Sequence, residues 1–245
     1  VSLSFQIFSP RLARANDTTE TWDEGAVDLE LYAGFDGFSP HNAERALSSE
    51  FVIGYGLIDQ FAAYLGTTLQ GNEHLGEGQA SIGFGAFGTP LDFDHFDLDL
   101  FLEFSLGGAL LSEFQVAPGM ELNFDLDPER KSWGAYLRLG VPIYRREADP
   151  EASGGVKQSA AFSLLLNPGM YLTIADRHQI LLEYDMSFAR GPLDASAAEI
   201  GGFSLGYNVT LSERIELINQ VYLSLPQRDK PVALGVMAGF IASIP

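Results

Sequence analysis

The chain has 245 residues, with 33 Asp and Glu against 14 Lys and Arg, a formal net charge of −19 and no cysteine. That balance excludes a nucleic-acid binder, because phosphate contacts need clustered cations, and the missing thiols exclude disulfides, thiolate metal sites and cysteine nucleophiles. At 46% hydrophobic residues the chain is too apolar for an acidic disordered protein, so it must bury or cover a large apolar surface.

Residues 1–24 stand apart from the rest of the chain. Ala13-Arg14-Ala15 before Asn16 reads as a signal-peptidase site, with Val1 to Phe8 as the tail of an apolar signal region. The alternative is an arm or lumen plug carrying Arg11 and Arg14. From residue 25 to 245 the chain reads as one domain built on period-2 alternation. Between Val27 and Phe35 the odd positions are Val27, Leu29, Leu31, Ala33 and Phe35, and Asp28, Glu30, Tyr32 and Gly34 fall between them. Phe96 to Leu106 repeats this, with Leu98, Leu100, Leu102 and Phe104 against Asp97, Asp99, Phe101 and Glu103. A helix would scatter both sets around its circumference, whereas a strand puts each on one face. Twelve such segments are predicted, at about 26–38, 47–58, 60–71, 78–90, 95–106, 113–126, 131–145, 159–175, 178–190, 199–211, 214–226 and 231–244. Strands of about ten or more residues are long for a soluble sandwich and suit a tilted bilayer crossing.

The connections alternate in length. Tight turns are expected at Asp59-Gln60, Asp127 to Arg130, Ala175 to Arg177 and Ser212 to Arg214, with a wider one from Pro90 to Asp94. Longer loops are expected at Ser39 to Ala46, Gly71 to Glu77, Arg146 to Gln158 and Gly191 to Ala198, with shorter ones at Gly107 to Ser112 and Gln227 to Lys230. Short periplasmic turns and longer outside loops mark an even-stranded outer-membrane barrel. Alternation alone does not say which face is inside. A twelve-stranded cylinder is wider than one that side chains readily fill, so an apolar lining would leave a large dry cavity. The arrangement with apolar residues on lipid and polar ones inside is therefore the expected one: an all-β, closed antiparallel transmembrane barrel.

Three hairpin stretches carry a family resemblance: Phe51-Val52-Ile53-Gly54-Tyr55-Gly56-Leu57-Ile58-Asp59-Gln60-Phe61, Ala80 to Gly88, and Phe203 to Leu217. They resemble outer-membrane barrels of the "MetA-pathway of phenol degradation" transporter-like group, which shows Gly-Tyr-Gly-Leu-Thr-Asp-Arg-like hairpins. The resemblance runs from about Gly25 to the C-terminus and implies the fold more than any substrate. The chain ends Ala242-Ser243-Ile244-Pro245, where many such barrels end in Phe or Trp.

On the polar face the expected lumen set is Asp28, Glu30, Asp36, Asp97, Asp99, Glu103, Glu121, Asp125, Glu183, Asp185 and Glu216, opposed clearly by Arg138 alone. Low-dielectric walls focus the field of so many carboxylates, drawing cations in and turning anions away. Tyr136 and Tyr222 belong to the same face, as do Tyr32, Tyr64, Tyr144 and Tyr171, which fill space and hydrogen-bond carboxylates or offer contacts to a ring-bearing solute. Phe35, Phe51, Tyr55, Phe61, Phe96, Phe124, Trp133, Tyr184, Phe188, Tyr207 and Phe240 face outward as interfacial girdles.

No catalytic constellation, metal site or cofactor is expected. His41, His74, His95 and His178 lie in loops or beside turns without metal-ligand spacing, and no serine has a place beside outward-facing His178. Gly83 to Gly88 lacks the strand-loop-helix setting of a phosphate loop. Asp92, Asp94, Asp97 and Asp99 do not have EF-hand spacing. The sequence thus points to a bacterial outer-membrane channel for passive diffusion of small solutes, cations preferred, touching membrane lipid and lipopolysaccharide. The alternatives are a plugged barrel that binds a periplasmic or outer-membrane protein partner as sheath or scaffold, and a lipid-modifying enzyme.

Overall fold

The computed structural model describes residues 24–36, 46–72, 78–107, 113–127, 132–147, 158–190, 198–225 and 232–244. Every regular element among them is a strand: β1 (Val27–Asp36), β2 (Ala46–Ile58), β3 (Phe61–Asn72), β4 (Gly78–Phe93), β5 (Phe96–Gly107), β6 (Glu113–Asp125), β7 (Trp133–Gly140), β8 (Ile143–Glu147), β9 (Gln158–Ile174), β10 (His178–Arg190), β11 (Ala198–Ser212), β12 (Ile215–Ser224) and β13 (Ala233–Ile244). Apart from β7 and β8, which do not pair with each other, consecutive strands pair antiparallel, and β1 pairs with β13 from Val27↔Ile244 to Asp36↔Gly235, which closes the sheet on itself. β7 and β8 both lie between β6 and β9, so they are two halves of one stave and the cylinder has twelve.

The break falls at Val141-Pro142, inside the segment expected to run unbroken over 131–145. Proline has no N–H to give to a ladder. Pairing is nonetheless carried across the gap by Val141 N–H to Pro118 O at 2.9 Å and Ser163 N–H to Pro142 O at 3.0 Å. A second difference lies at the expected Pro90 to Asp94 turn. β4 instead continues to Phe93 through a register shift between Gly88 and Leu91, and the chain reverses at Asp94-His95. A bulge absorbs the irregular pairing that reads as a turn in the sequence.

The inside is polar and the outside apolar. Phe84 is 53% exposed and Leu65 55%, whereas Glu30 is 0% exposed and Asn123 1%. In water an apolar belt of that extent would far exceed the patches soluble proteins show, about 300–600 Å². A twelve-residue strand is about 40 Å long, which tilted by about 40° still clears an apolar band about 25 Å tall. The reversals at Asp59-Gln60, Asp94-His95, Ala175 to Arg177 and Glu213-Arg214 share one end with the start of β1 and the end of β13. At that end Ala175 and Asp176 both adopt φ of 54°, the left-handed region that non-glycine residues rarely take outside tight turns.

Candidate functional site

The candidate site is the inner wall, and its geometry follows from register. In the row Tyr64↔Gly85↔Glu103, the tyrosine on β3, the glycine on β4 and the carboxylate on β5 stand side by side. The ring of Tyr64 lies across Gly85, where a Cβ would collide with it, and its hydroxyl donates to Glu103 Oε1. The same arrangement recurs twice. Tyr136 on β7 crosses Gly169 on β9 and donates to Glu183 Oε2 on β10 at 3.0 Å. Tyr171 on β9 crosses Gly134 on β7 in the opposite direction and donates to Asp125 Oδ1 on β6. Strands lie about 4.8 Å apart, so a ring can reach the second neighbour only if the strand between carries no side chain. Glycine at the middle position is what lets a phenol cap a carboxylate two staves away. Tyr32 likewise lies over Gly239, but its hydroxyl bonds Glu30 Oε2 of its own strand at 2.9 Å.

Four further acids, Asp97, Asp99, Glu121 and Asp185, lie between β5 and β10. Arg138 Nε donates to Glu121 Oε2 at 2.7 Å across the β6–β7 pair, and its guanidinium stands 5.6 Å from the Phe101 ring centroid. Asn123 Nδ2 donates to Asp97 Oδ1 at 2.6 Å and Asp99 Oδ2 at 3.0 Å, and Thr89 Oγ1 donates to Asp99 Oδ1 at 2.6 Å. Asn167 Nδ2 donates to Asp185 Oδ1 at 2.6 Å. Among the described residues no three His or acidic side chains converge closely enough to hold a metal by themselves.

Asp28, Glu30, Asp97, Glu121, Asp125, Glu183, Tyr136 and Tyr222 are buried on the interior face, and Asp99, Glu103, Arg138, Asp185 and Glu216 are partly buried there. The side chains of Asp36 and Tyr144 lie outside the described residues, as do residues 1–23 with Arg11 and Arg14. The structure brings Asp97, Asp99 and Glu121 onto one arc but leaves Asp28, Glu30 and Glu216 on another. Sequence reasoning passed over Thr89, Asn123 and Asn167, the neutral donors that bind the acids. Their signal was there, since each occupies an inward position of an alternating strand. On the outside, His178 Nδ1 meets the Tyr207 hydroxyl at 2.8 Å with the rings stacked, so that imidazole belongs to an aromatic pair at the rim.

A closed twelve-strand cylinder with its polar groups enclosed is the fold of outer-membrane β-barrels, and solved structures bear this out. An outer-membrane channel from Pseudomonas putida F1 superposes with a TM-score of 0.67 at 10% identity, covering 92% of this chain and 98% of that one. The NanC porin gives 0.65 at 10% identity over 87% of this chain and 98% of the porin. The translocator domain of the autotransporter NalP from Neisseria meningitidis gives 0.61 at 10% identity over 95% and 93%. No family model matches the chain, and no curated protein sequence matches it either.

Proposed function

We propose that the chain is an outer-membrane channel through which small solutes diffuse passively, with an interior that favours cations. The observation that carries this is the inverted cylinder itself: acids on an enclosed inner wall, large apolar side chains on the outside. At this strand number the backbone circle is wider than eight-stranded barrels whose interiors side chains fill. The channel and porin among its structural neighbours support the reading, and the hairpin resemblance to the phenol-degradation transporter-like group points the same way. The apolar flank faces membrane lipid and lipopolysaccharide, and the short turns lie in the periplasm. In the interior, carboxylates take over part of a cation's hydration shell and raise its local concentration.

Reversal potentials in planar bilayers under a KCl gradient test this. Cation preference is expected, moving toward zero in a Glu103→Gln, Glu183→Gln, Asp185→Asn triple variant. Anion preference, or selectivity unchanged in that variant, overturns it. A second reading has its own observation: Tyr32, Ile218 and Ile241 pack into one buried cluster on the inner wall at β1, β12 and β13, with Met237 against it, so side chains fill this part of the wall. That favours an occluded barrel serving as a partner-binding scaffold, and a persistently silent bilayer selects it.

A further inference from the structure

Among the described residues, four rings of the inner wall cross a neighbouring glycine to reach a charged side chain on a farther strand. Three of them, Tyr64, Tyr136 and Tyr171, reach a carboxylate, and each brings a hydroxyl that donates to it. The fourth is Phe101 on β5. It stands in register with Gly119 on β6, where a Cβ would collide with the ring, and Gly140 on β7 follows in the same row. The next inward residue on β7 is Arg138, whose guanidinium carbon lies over the Phe101 ring, 5.6 Å from its centroid. A phenol donates a hydrogen bond to an anion, whereas the face of any aromatic ring attracts a cation. The one ring of the four without a hydroxyl is thus the one that meets a positive charge.

Arg138 is held from two directions. Its Nε donates to Glu121 Oε2 at 2.7 Å, which fixes an edge of the guanidinium, and the Phe101 ring lies against its face, so the two contacts together set its tilt. Glu183 is within electrostatic reach as well. The arginine side chain is 16% exposed. Among the described side chains of the inner wall it is the only Lys or Arg. On the wall beside a carboxylate, such a charge belongs to a nearly neutral pair whose field dies away quickly. Swung into the lumen it would oppose the surrounding acids and repel cations, because low-dielectric walls focus its field. We propose that Phe101 is a positioning residue for ion selectivity: seated over Gly119, its ring holds Arg138 against Glu121 and keeps that positive charge out of the path of the solute. The inference rests on the channel reading and adds to it the residue that stops the lumen arginine from cancelling the acids.

Two measurements on the refolded full chain test it. Phenylglyoxal labelling in detergent micelles, resolved by residue in a mass spectrometer and with heat-modifiable gel mobility as the check on folding, reads how well Arg138 is shielded. Arg138 labels more slowly than Arg214, which is exposed in the turn between β11 and β12. Phe101→Leu speeds labelling of Arg138 about threefold and leaves Arg214 unchanged, and Phe101→Tyr, which keeps the ring, keeps the slow rate. Reversal potentials in planar bilayers under a KCl gradient read the consequence. Phe101→Leu loses about half of the wild-type cation-to-anion permeability ratio, and Phe101→Tyr retains it. Labelling of Arg138 as fast as Arg214, or a rate that Phe101→Leu does not change, overturns the proposal. A wild type without current or cation preference overturns the channel reading and the selectivity role with it. A cation-selective wild type whose Phe101→Leu variant has the same reversal potential overturns this inference alone.

Discussion

From β5 round to β10 the inner wall carries Asp97, Asp99, Glu103, Glu121, Asp125, Glu183 and Asp185 with Arg138 among them, whereas from β11 round to β4 it is mostly small or apolar. On that second arc Gly54, Gly56, Ala62, Gly202, Gly206, Ile218 and Ile241 are buried, and Asp28 and Glu30 on β1 with Glu50 and Glu216 are its acidic exceptions. The two arcs keep the cylinder closed by different means. The acidic arc depends on each charged group finding a particular partner across one or two strands. The quiet arc depends more on volume, because its glycine, alanine and isoleucine need no partner, although Ser204, Asn208 and Gln220 are buried there too. Substitutions should therefore hurt unequally on the two sides.

The largest expected effect is at Arg138. Arg138→Met removes the cation bonded to buried Glu121 and leaves that carboxylate uncompensated, a change worth about 3–5 kcal/mol. Gln220→Met, buried on the quiet arc, exchanges an amide for a thioether of similar length and should cost less than about 1.5 kcal/mol. Urea titration of the barrels refolded into lipid vesicles measures both. Adding Glu121→Gln to Arg138→Met should restore most of the loss, because the buried charge goes with its partner. Equal losses for Arg138→Met and Gln220→Met would erase the distinction between the arcs.

A smaller effect sharpens it. Gly169→Ala places a methyl in the Tyr136 ring and Gly134→Ala sets one against both the Phe124 carbonyl oxygen and the Tyr171 ring, so each should cost about 1–3 kcal/mol or more by overpacking and weaken a phenol–carboxylate bond. At Gly66 on β3 the nearest atom to an added methyl is Val52 Cγ2 at 3.4 Å, and Gly66→Ala should be within about 0.5 kcal/mol of neutral. Tyrosine fluorescence on unfolding follows the displaced rings. If Gly66→Ala matched Gly169→Ala, the rings would not be what the central glycines accommodate.

Much of this fold was legible because it rests on local pattern. Strict alternation fixed the faces, and polar turn residues marked the strand ends to within a few positions of β1, β5 and β10. What could not be read was whatever depends on register between strands far apart in sequence. Tyr136 and Glu183 are separated by 47 positions, and nothing local says that Gly169 stands between them. The Asn123 bridge is of the same kind: asparagine at an inward position looks like filler until β5 and β6 are aligned. The two misread spots both lie at prolines but in opposite senses: Val141-Pro142 breaks a segment that alternation reads as continuous, whereas at Pro90 the chain stays extended to Phe93 where a turn is expected.

The outer surface holds the smallest and most specific test. On β12 the outward residues are Ile215, Leu217, Asn219, Val221 and Leu223, so an amide occupies the middle of a lipid-facing row while Ile218 faces inward beside it. Asn219 Nδ2 reaches Tyr207 O at 3.4 Å, a long bond, and Ala238 and Ala33 follow it in register, flooring a shallow groove. Hydrocarbon offers an amide no partner, so Asn219→Leu should raise stability in vesicles by about 1 kcal/mol if lipid alone covers this groove. The inward counterpart, Ile218→Asn, should lower it by about 1–3 kcal/mol, since even a polar lumen leaves that fully covered position apolar. A loss of about 1 kcal/mol or more for Asn219→Leu would show the amide to be satisfied by something other than an acyl chain. The rule that each face of a stave follows from its surroundings would then fail on β12, where polar and apolar side chains have changed places.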